Sequence, residues 1–202
     1  MLIPTIFNDF INCRPNKGVL HIGAHICEEK QLYNDNGIND DNILWIEANN
    51  DLINQEQKNI LNAVISDKND EEVNFIITNN MQSSSILELY KHLEEHPGII
   101  EIERRKVKTI TLNTLYENNN IPYDRYDFIN LDIQGAELKA LKGADKILPH
   151  IKAIYTEVST KELYKNCVLL PELDEFLEKN GFKRIIISMT HNYWGDALYI
   201  KE

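Results

Sequence analysis

The stretch Gly18–Asn50, "GVLHIGAHICEEKQLYNDNGINDDNILWIEANN", decides the fold. "GVLHIGA" is an apolar run that breaks at Gly23, which reads as a buried strand entering a tight turn. "CEEKQLYNDNG" follows as a helix closed by Gly37, and "NILWIEA" is a second buried strand ending at Glu47. "DLINQEQKNILN" places Leu52, Ile53, Gln57, Ile60 and Leu61 at helical spacing, with Asn50 or Asp51 as cap, and "AVIS" reads as a short third strand. Strand, helix, strand, helix, strand implies a parallel sheet with crossover helices.

Outward from that stretch the pattern loosens and then resumes. "EEVNFIIT" alternates as a strand, "NNMQSSS" is a polar loop, and "ILELYKHLEEH" reads as a helix stopped by Pro97-Gly98. "KVKTITLN" alternates with Val107, Ile110 and Leu112 on the buried face, so the middle is an excursion from the central sheet or adds an antiparallel pair to it. "YDFINLDI" is a strongly apolar strand ending at Asp132, "AELKALKGADKIL" a helix with a break at Gly143, and "IKAIYTEV" a strand ending at Glu157. "LPELDEFLEKNG" carries Pro171 at its start and Gly181 as its stop. "FKRIIIS" and "DALYIK" make a closing antiparallel pair. No internal repeat or linker interrupts the chain, and 202 residues suit one domain, with residues 1–17 as an N-terminal extension.

Hydrophobic residues at 43% and charged residues at 26% are the balance of an ordinary globular protein. A net charge of −11 and the lack of a Lys/Arg run argue against nucleic acid; Arg104-Arg105-Lys106 sits among acidic neighbours and reads as a solvated face. Cys13, Cys27 and Cys167 form no CxxC pair, which argues against a disulfide framework or structural zinc and for a reducing cytoplasm. The first 18 residues lack a basic segment followed by a long apolar one, so no signal peptide is expected. No apolar run approaches the ~18 residues of a membrane span. Oligomeric state has no signature.

Ligands of open α/β sheets bind beyond the carboxyl ends of the strands, so the polar residues there carry the functional reading: His21 to His25, Glu47, Ser66-Asp67, Asp132 and Glu157. Glu47 follows Gly23 by 24 residues, the place of a carboxylate that accepts from both ribose hydroxyls. A pyrophosphate needs open backbone at its helix N-terminus, and Ala24 and Cys27 carry side chains there. One glycine suits S-adenosylmethionine, which has no phosphate, better than NAD. Ser66 and Asp67 are placed to accept from the adenine amine, or simply to turn the chain.

The order and spacing of "HIGAHICEE", "ILWIEANNDL", "AVISDKNDEEVNF", "SSSILEL", "VKTITLNTL" and, most specifically, "YDFINLDIQGAELKALKGADKIL" resemble the FkbM-type methyltransferases, over Gly18 to Lys201. The resemblance implies a class I (Rossmann-like) three-layer α/β sandwich, with a mostly parallel seven-stranded sheet and an antiparallel C-terminal hairpin. It implies S-adenosylmethionine at the first three strand ends and O-methylation of a sugar hydroxyl in a glycan or glycosylated small molecule. By position, His21, Gly23, Ala24 and His25 lie along the methionine moiety, Glu47 holds the ribose with Ala48 and Asn49 beside it, and Ser66 and Asp67 lie near the adenine. Ser83, Ser84 and Ser85 lie close to cofactor or acceptor, and Asp132, Gln134 and Glu137 fall in the signature segment. The chain departs from the family pattern at His21 (often Asp), Cys27 (usually Gly) and Gln134 (usually Glu).

A sugar hydroxyl is a poor nucleophile and is helped by a base or a metal. Asp132 is the first candidate base; Glu157 shares its site, and two carboxylates with an acceptor diol suit Mg²⁺. His191, in "SMTHNYWGD", is a further candidate base, with Tyr193 and Trp194 either stacking on a sugar or packing the hairpin. His21 reads as a buried, satisfied histidine and His25 as a cofactor contact at the helix start. The alternatives are an NAD(P)-dependent oxidoreductase and a catalytically silent S-adenosylmethionine-binding module.

Overall fold

The computed structural model describes Phe7, residues 13–54 and residues 56–202. Of the expected N-terminal extension, residues 1–6 and 8–12 lie outside the described residues. The strands of the main sheet are β1 (Val19–Ile22), β2 (Ile43–Glu47), β3 (Ile60–Asn62), β7 (Phe128–Leu131), β8 (Ala153–Ser159), β9 (Phe182–Met189) and β10 (Trp194–Lys201). Their order is β3-β2-β1-β7-β8-β10-β9. The first five are mutually parallel, and β10 runs antiparallel to both β8 and β9. Strand order reverses between β1 and β7, which opens a crevice above their carboxyl ends.

A second, three-stranded sheet, β4-β6-β5, is the excursion expected in the middle: β4 (Val64–Ile65), β5 (Glu72–Thr78) and β6 (Glu101–Ile110). The helices are α1 (Lys30–Asp35), α2 (His92–Glu95), α3 (Leu112–Asn118), α4 (Glu137–Lys142) and α5 (Leu170–Lys179).

Alternate side chains of each strand enter opposite layers. Leu20, Ile22, Ile129, Leu131 and Ile154 pack with Leu115, Leu141, Leu173 and Leu177 of α3, α4 and α5. Val19, Ile43, Trp45, Phe128 and Tyr155 pack on the other face with Tyr33 of α1. Burial on both faces is why these strands are continuous apolar runs in the sequence.

Three expectations are corrected. The helix expected over Asp51–Asn62 is, in its described residues, a 3₁₀ turn at Asn50–Leu52 followed by turns and β3; Gln55 lies outside the described residues. Asn59 takes a left-handed φ of 54°, its carbonyl accepts from Trp45 N–H, and Ile60–Asn62 then pairs with β2. The third strand of the main sheet is therefore Ile60–Asn62, while Val64–Ile65 of "AVIS" pairs with β6 in the smaller sheet. The helix expected over Ile86–His96 shrinks to α2: Tyr90 and His92 N–H both donate to the Leu163 carbonyl, and Lys165 N–H donates to that of Glu88. Docking on the loop after β8 takes the hydrogen bonds that a longer helix would use.

Candidate active site

Above the carboxyl ends of β1, β2, β7 and β8 lies a cavity of about 700 Å³, within the range of small-molecule sites. Gly23 follows β1 with a φ of 87°, and a Cβ there would stand 1.7 Å from the Asp132 carbonyl oxygen. The turn after β1 thus presses against the turn after β7, and that contact is what requires a glycine. Gly23 and Ala24 N–H both donate to the Ile46 carbonyl (2.9 and 3.0 Å), so these amides are spent within the protein. His25 is not at a helix start, since α1 begins at Lys30; it sits in the intervening turn with its Nδ1 2.6 Å from Glu28 Oε1.

Glu47 closes β2 and is only 7% exposed. Its Oε2 accepts from His25 N–H (2.7 Å) and its Oε1 from Asn49 N–H (2.6 Å), while Asn62 Nδ2 holds the Glu47 and Ala48 carbonyls. Burial pushes the Glu47 carboxyl above its usual pKa. One acceptor position on each oxygen is left for a ligand. The wall beside it is Ala63, Val64 and Ile65. Ser66 and Asp67 are not among the lining residues: the Ser66 hydroxyl donates to Asp67 (3.1 Å), and a Cβ on Gly143 would stand 2.4 Å from the Ser66 carbonyl.

His21 is 3% exposed. Asn130 donates to the Tyr33 hydroxyl (2.9 Å), which lies 3.0 Å from His21 Nδ1, and the ring packs 4.7 Å from that of Trp45. Burial lowers its pKa to about 4, so the imidazole is neutral at physiological pH.

The cavity is also lined by Asp132, Gln134 and Glu157. Gln134 has a left-handed φ of 57°, and its backbone carbonyl accepts from the Ser85 hydroxyl (2.9 Å). Its amide nitrogen donates to Asp132 Oδ1 (2.7 Å) and to Glu157 Oε2 (2.5 Å), and its Oε1 accepts from the Tyr164 hydroxyl (2.7 Å). Glu137, buried at the start of α4, accepts from Ile133 and Gly135 N–H (3.1 and 3.0 Å) and so fixes the turn that carries Gln134. Burial, followed by the Asp132 charge, raises the Glu157 pKa well above the carboxylate range; burial raises Glu137 to about 7 and Asp196 to about 6.

Ser83, Ser84 and Ser85 line the cavity, with Ser84 donating to the Met81 carbonyl (2.6 Å). His191 does not line it: the residue is exposed at the tip of the β9–β10 hairpin. Tyr193 is also exposed, under Lys161, whereas Trp194 faces the cavity. Sequence reasoning missed Tyr164, Asp196, His92 and His96, all of which line it. Asp196 pairs across from Glu157 in the β8–β10 register, and an acidic residue in that apolar strand was a readable signal. Tyr164 comes from the loop after β8, and His92 and His96 from the start and the end of the short helix α2, where nothing in the sequence marks them as cavity residues.

The sheet order and the strand-end site define a class I methyltransferase fold. Two solved structures of magnesium protoporphyrin IX methyltransferase from Synechocystis PCC 6803 share it. The form with bound S-adenosylmethionine has a TM-score of 0.50 and 10% identity, over 98% of this chain and 76% of that one. The form with bound S-adenosylhomocysteine has a TM-score of 0.51 and 9% identity, over 98% and 80%. No curated protein matches the chain. The methyltransferase FkbM domain model matches residues 21–184, and the chain belongs to that family of S-adenosylmethionine-dependent methyltransferases. The oxidoreductase alternative is thereby set aside. No helix among the described residues is long and apolar enough to cross a membrane.

Proposed function

We propose that the protein is a single-domain O-methyltransferase that transfers the methyl group to a sugar hydroxyl of a glycan or small glycosylated molecule. The observation that carries this reading is that one cavity is lined both by carboxylates, Asp132 among them, and by the indole of Trp194. A sugar ring offers C–H faces to an indole and hydroxyls at its rim to carboxylates.

The residues fit S-adenosylmethionine: Glu47 keeps two acceptor positions for a ribose diol, and Ala63–Ile65 offer an apolar face to the adenine. His25, Ala48 and Asn49 flank that carboxylate, and Gly23 and Asp132 border the methionine end. Ser66 and Asp67 act here through the backbone they hold rather than by direct contact. When bound, S-adenosylmethionine supplies an electrophilic methyl group on a sulfonium. Asp132 accepts the acceptor's hydroxyl proton as that oxygen takes the methyl group, and proximity supplies much of the rate. Burial, followed by the Asp132 charge, raises the pKa of the Glu157 carboxyl beside it.

The test is a screen of sugar nucleotides, free sugars and small phenols with methyl-labelled S-adenosylmethionine. Label on a sugar supports the proposal. Label only on a phenol refutes the acceptor class, and bound cofactor with no label on any acceptor favours a silent module.

A further inference from the structure

The carboxylates Asp132 and Glu157 are the pair expected to hold Mg²⁺, and the side chains around them do not fit a cation. Among the described residues no group of three or more His, Cys, Asp or Glu is placed to hold a metal ion. The two carboxyls hydrogen-bond each other, and a donor bridges one oxygen of each: Gln134 Nε2 stands 2.7 Å from Asp132 Oδ1 and 2.5 Å from Glu157 Oε2. A cation there would meet two N–H bonds of an amide instead of an oxygen lone pair.

We propose that the Gln134 amide takes the place of a divalent cation in this site, as a positioning residue that cross-links Asp132 to Glu157 so that methyl transfer runs without metal. The inference rests on the reading of Asp132 as the base.

Three features hold the amide in this orientation. The Tyr164 hydroxyl donates to Gln134 Oε1 (2.7 Å), so a flip would set an N–H against an O–H donor and an oxygen against two carboxylates. Tyr164 is itself anchored: it is 2% exposed, and its hydroxyl also lies 3.1 Å from the Ser83 carbonyl. The backbone is fixed from both sides, with Ser85 on the Gln134 carbonyl and Glu137 on the N–H groups of Ile133 and Gly135. The amide uses both its hydrogens on the carboxylates, as a cation would use two coordination positions. Each bond is charge-assisted whenever its acceptor is ionised. Asp132 thereby keeps one oxygen tied and presents the other to the acceptor hydroxyl.

The same geometry says what a carboxylate at this position would do. Gln134→Glu keeps the bond from Tyr164 but sets a third carboxylate oxygen against the other two. Three carboxylates in that space need a proton or a cation between them. With a divalent cation in solution, the substitution is expected to offer it a site where the natural chain has none.

The experiment is calorimetric titration of Mn²⁺ and of Mg²⁺ into the full chain, its Gln134→Glu variant, and Gln134→Glu combined with Asp132→Asn. Electron paramagnetic resonance of Mn²⁺ provides the spectroscopic readout. The wild-type chain is expected to give no binding, Gln134→Glu a single site with Kd on the order of 10–100 µM, and the double variant a loss of at least about tenfold. Saturable Mn²⁺ binding by the wild-type chain that Asp132→Asn abolishes would overturn the proposal, and this arm needs no folded Gln134→Glu. So would a Gln134→Glu variant that melts cooperatively, binds S-adenosylhomocysteine like wild type and takes no cation. S-adenosylhomocysteine binding is scored separately: its absence from the wild-type chain would defeat the cofactor-site reading and leave the cation result standing on its own.

Discussion

Glu47→Gln perturbs the cofactor site with the least change of shape. The Glu47 carboxylate receives two backbone donors, His25 N–H at 2.7 Å and Asn49 N–H at 2.6 Å, and the proposed ribose adds two hydroxyl donors. Glutamine has one acceptor oxygen, so its amide nitrogen faces a backbone N–H on one side and a ribose hydroxyl on that same side. Hydrogen bonds to charged groups contribute about 1.5–3 kcal/mol each. Losing one to the ribose and weakening the other removes roughly 3 kcal/mol of binding, about 150-fold in Kd. The ligand-free protein loses less. Its orphaned N–H costs ~1–3 kcal/mol, but the buried charge that raises the Glu47 pKa goes as well. Calorimetry with S-adenosylhomocysteine measures the first effect, and thermal unfolding without ligand measures the second. The raised pKa adds a pH signature. Wild-type affinity falls as the pH drops through that pKa and the carboxylate is lost, whereas the variant shows no such fall. A variant that folds and binds within about threefold of wild type would refute Glu47 as the ribose acceptor.

Further predictions concern the acceptor end and the buried acids. Asp132→Asn lowers kcat by about 10²–10⁴-fold at saturating S-adenosylmethionine; an unchanged kcat removes Asp132 as base. Tyr164→Phe frees the Gln134 amide to turn, so kcat falls while KM for S-adenosylmethionine holds, and restoration of kcat by Tyr164→His would show that any donor at that point suffices. Glu137 titrates in the folded chain at about 7, above its ordinary 4.5, so its contribution to stability is full below that ordinary value and is lost as pH rises through 7. Glu137→Gln keeps an acceptor for the Ile133 and Gly135 N–H groups and removes the titration. Its melting temperature then declines less than that of wild type between about pH 5 and 8, with Glu157 and Asp196 supplying the remaining slope. Identical slopes would contradict the assignment. His191→Ala leaves turnover unchanged, since that side chain is outside the cavity.

What the sequence discloses follows from where each element finds its partners. β1, β2, β7 and β8 are buried on both faces, and their apolar runs are legible without a structure. Ile60–Asn62 has helical spacing and still becomes a strand, because the edge of β2 offers hydrogen bonds that local spacing does not encode. The Ile86–Lys91 segment fails as a helix for the same reason, held by Leu163. Strand-end residues such as Glu47 and Asp132 are legible because the fold places them by rule. Gly23 was legible as a turn, yet its cause is the Asp132 carbonyl rather than the ligand. Cys27, where a glycine is expected, takes a left-handed φ of 62°, which accounts for the usual residue there. Gln134 looked like a lost charge; its meaning depends on Tyr164, thirty residues away on another loop.

The central claim is that the cavity above β1 and β2 holds S-adenosylmethionine with Glu47 on the ribose. A crystal structure grown with S-adenosylhomocysteine tests it most directly. The account predicts the ribose hydroxyls within hydrogen-bond distance of Glu47 and the adenine against Ala63–Ile65. Ligand density elsewhere on the chain, or a ribose turned away from Glu47, would contradict it.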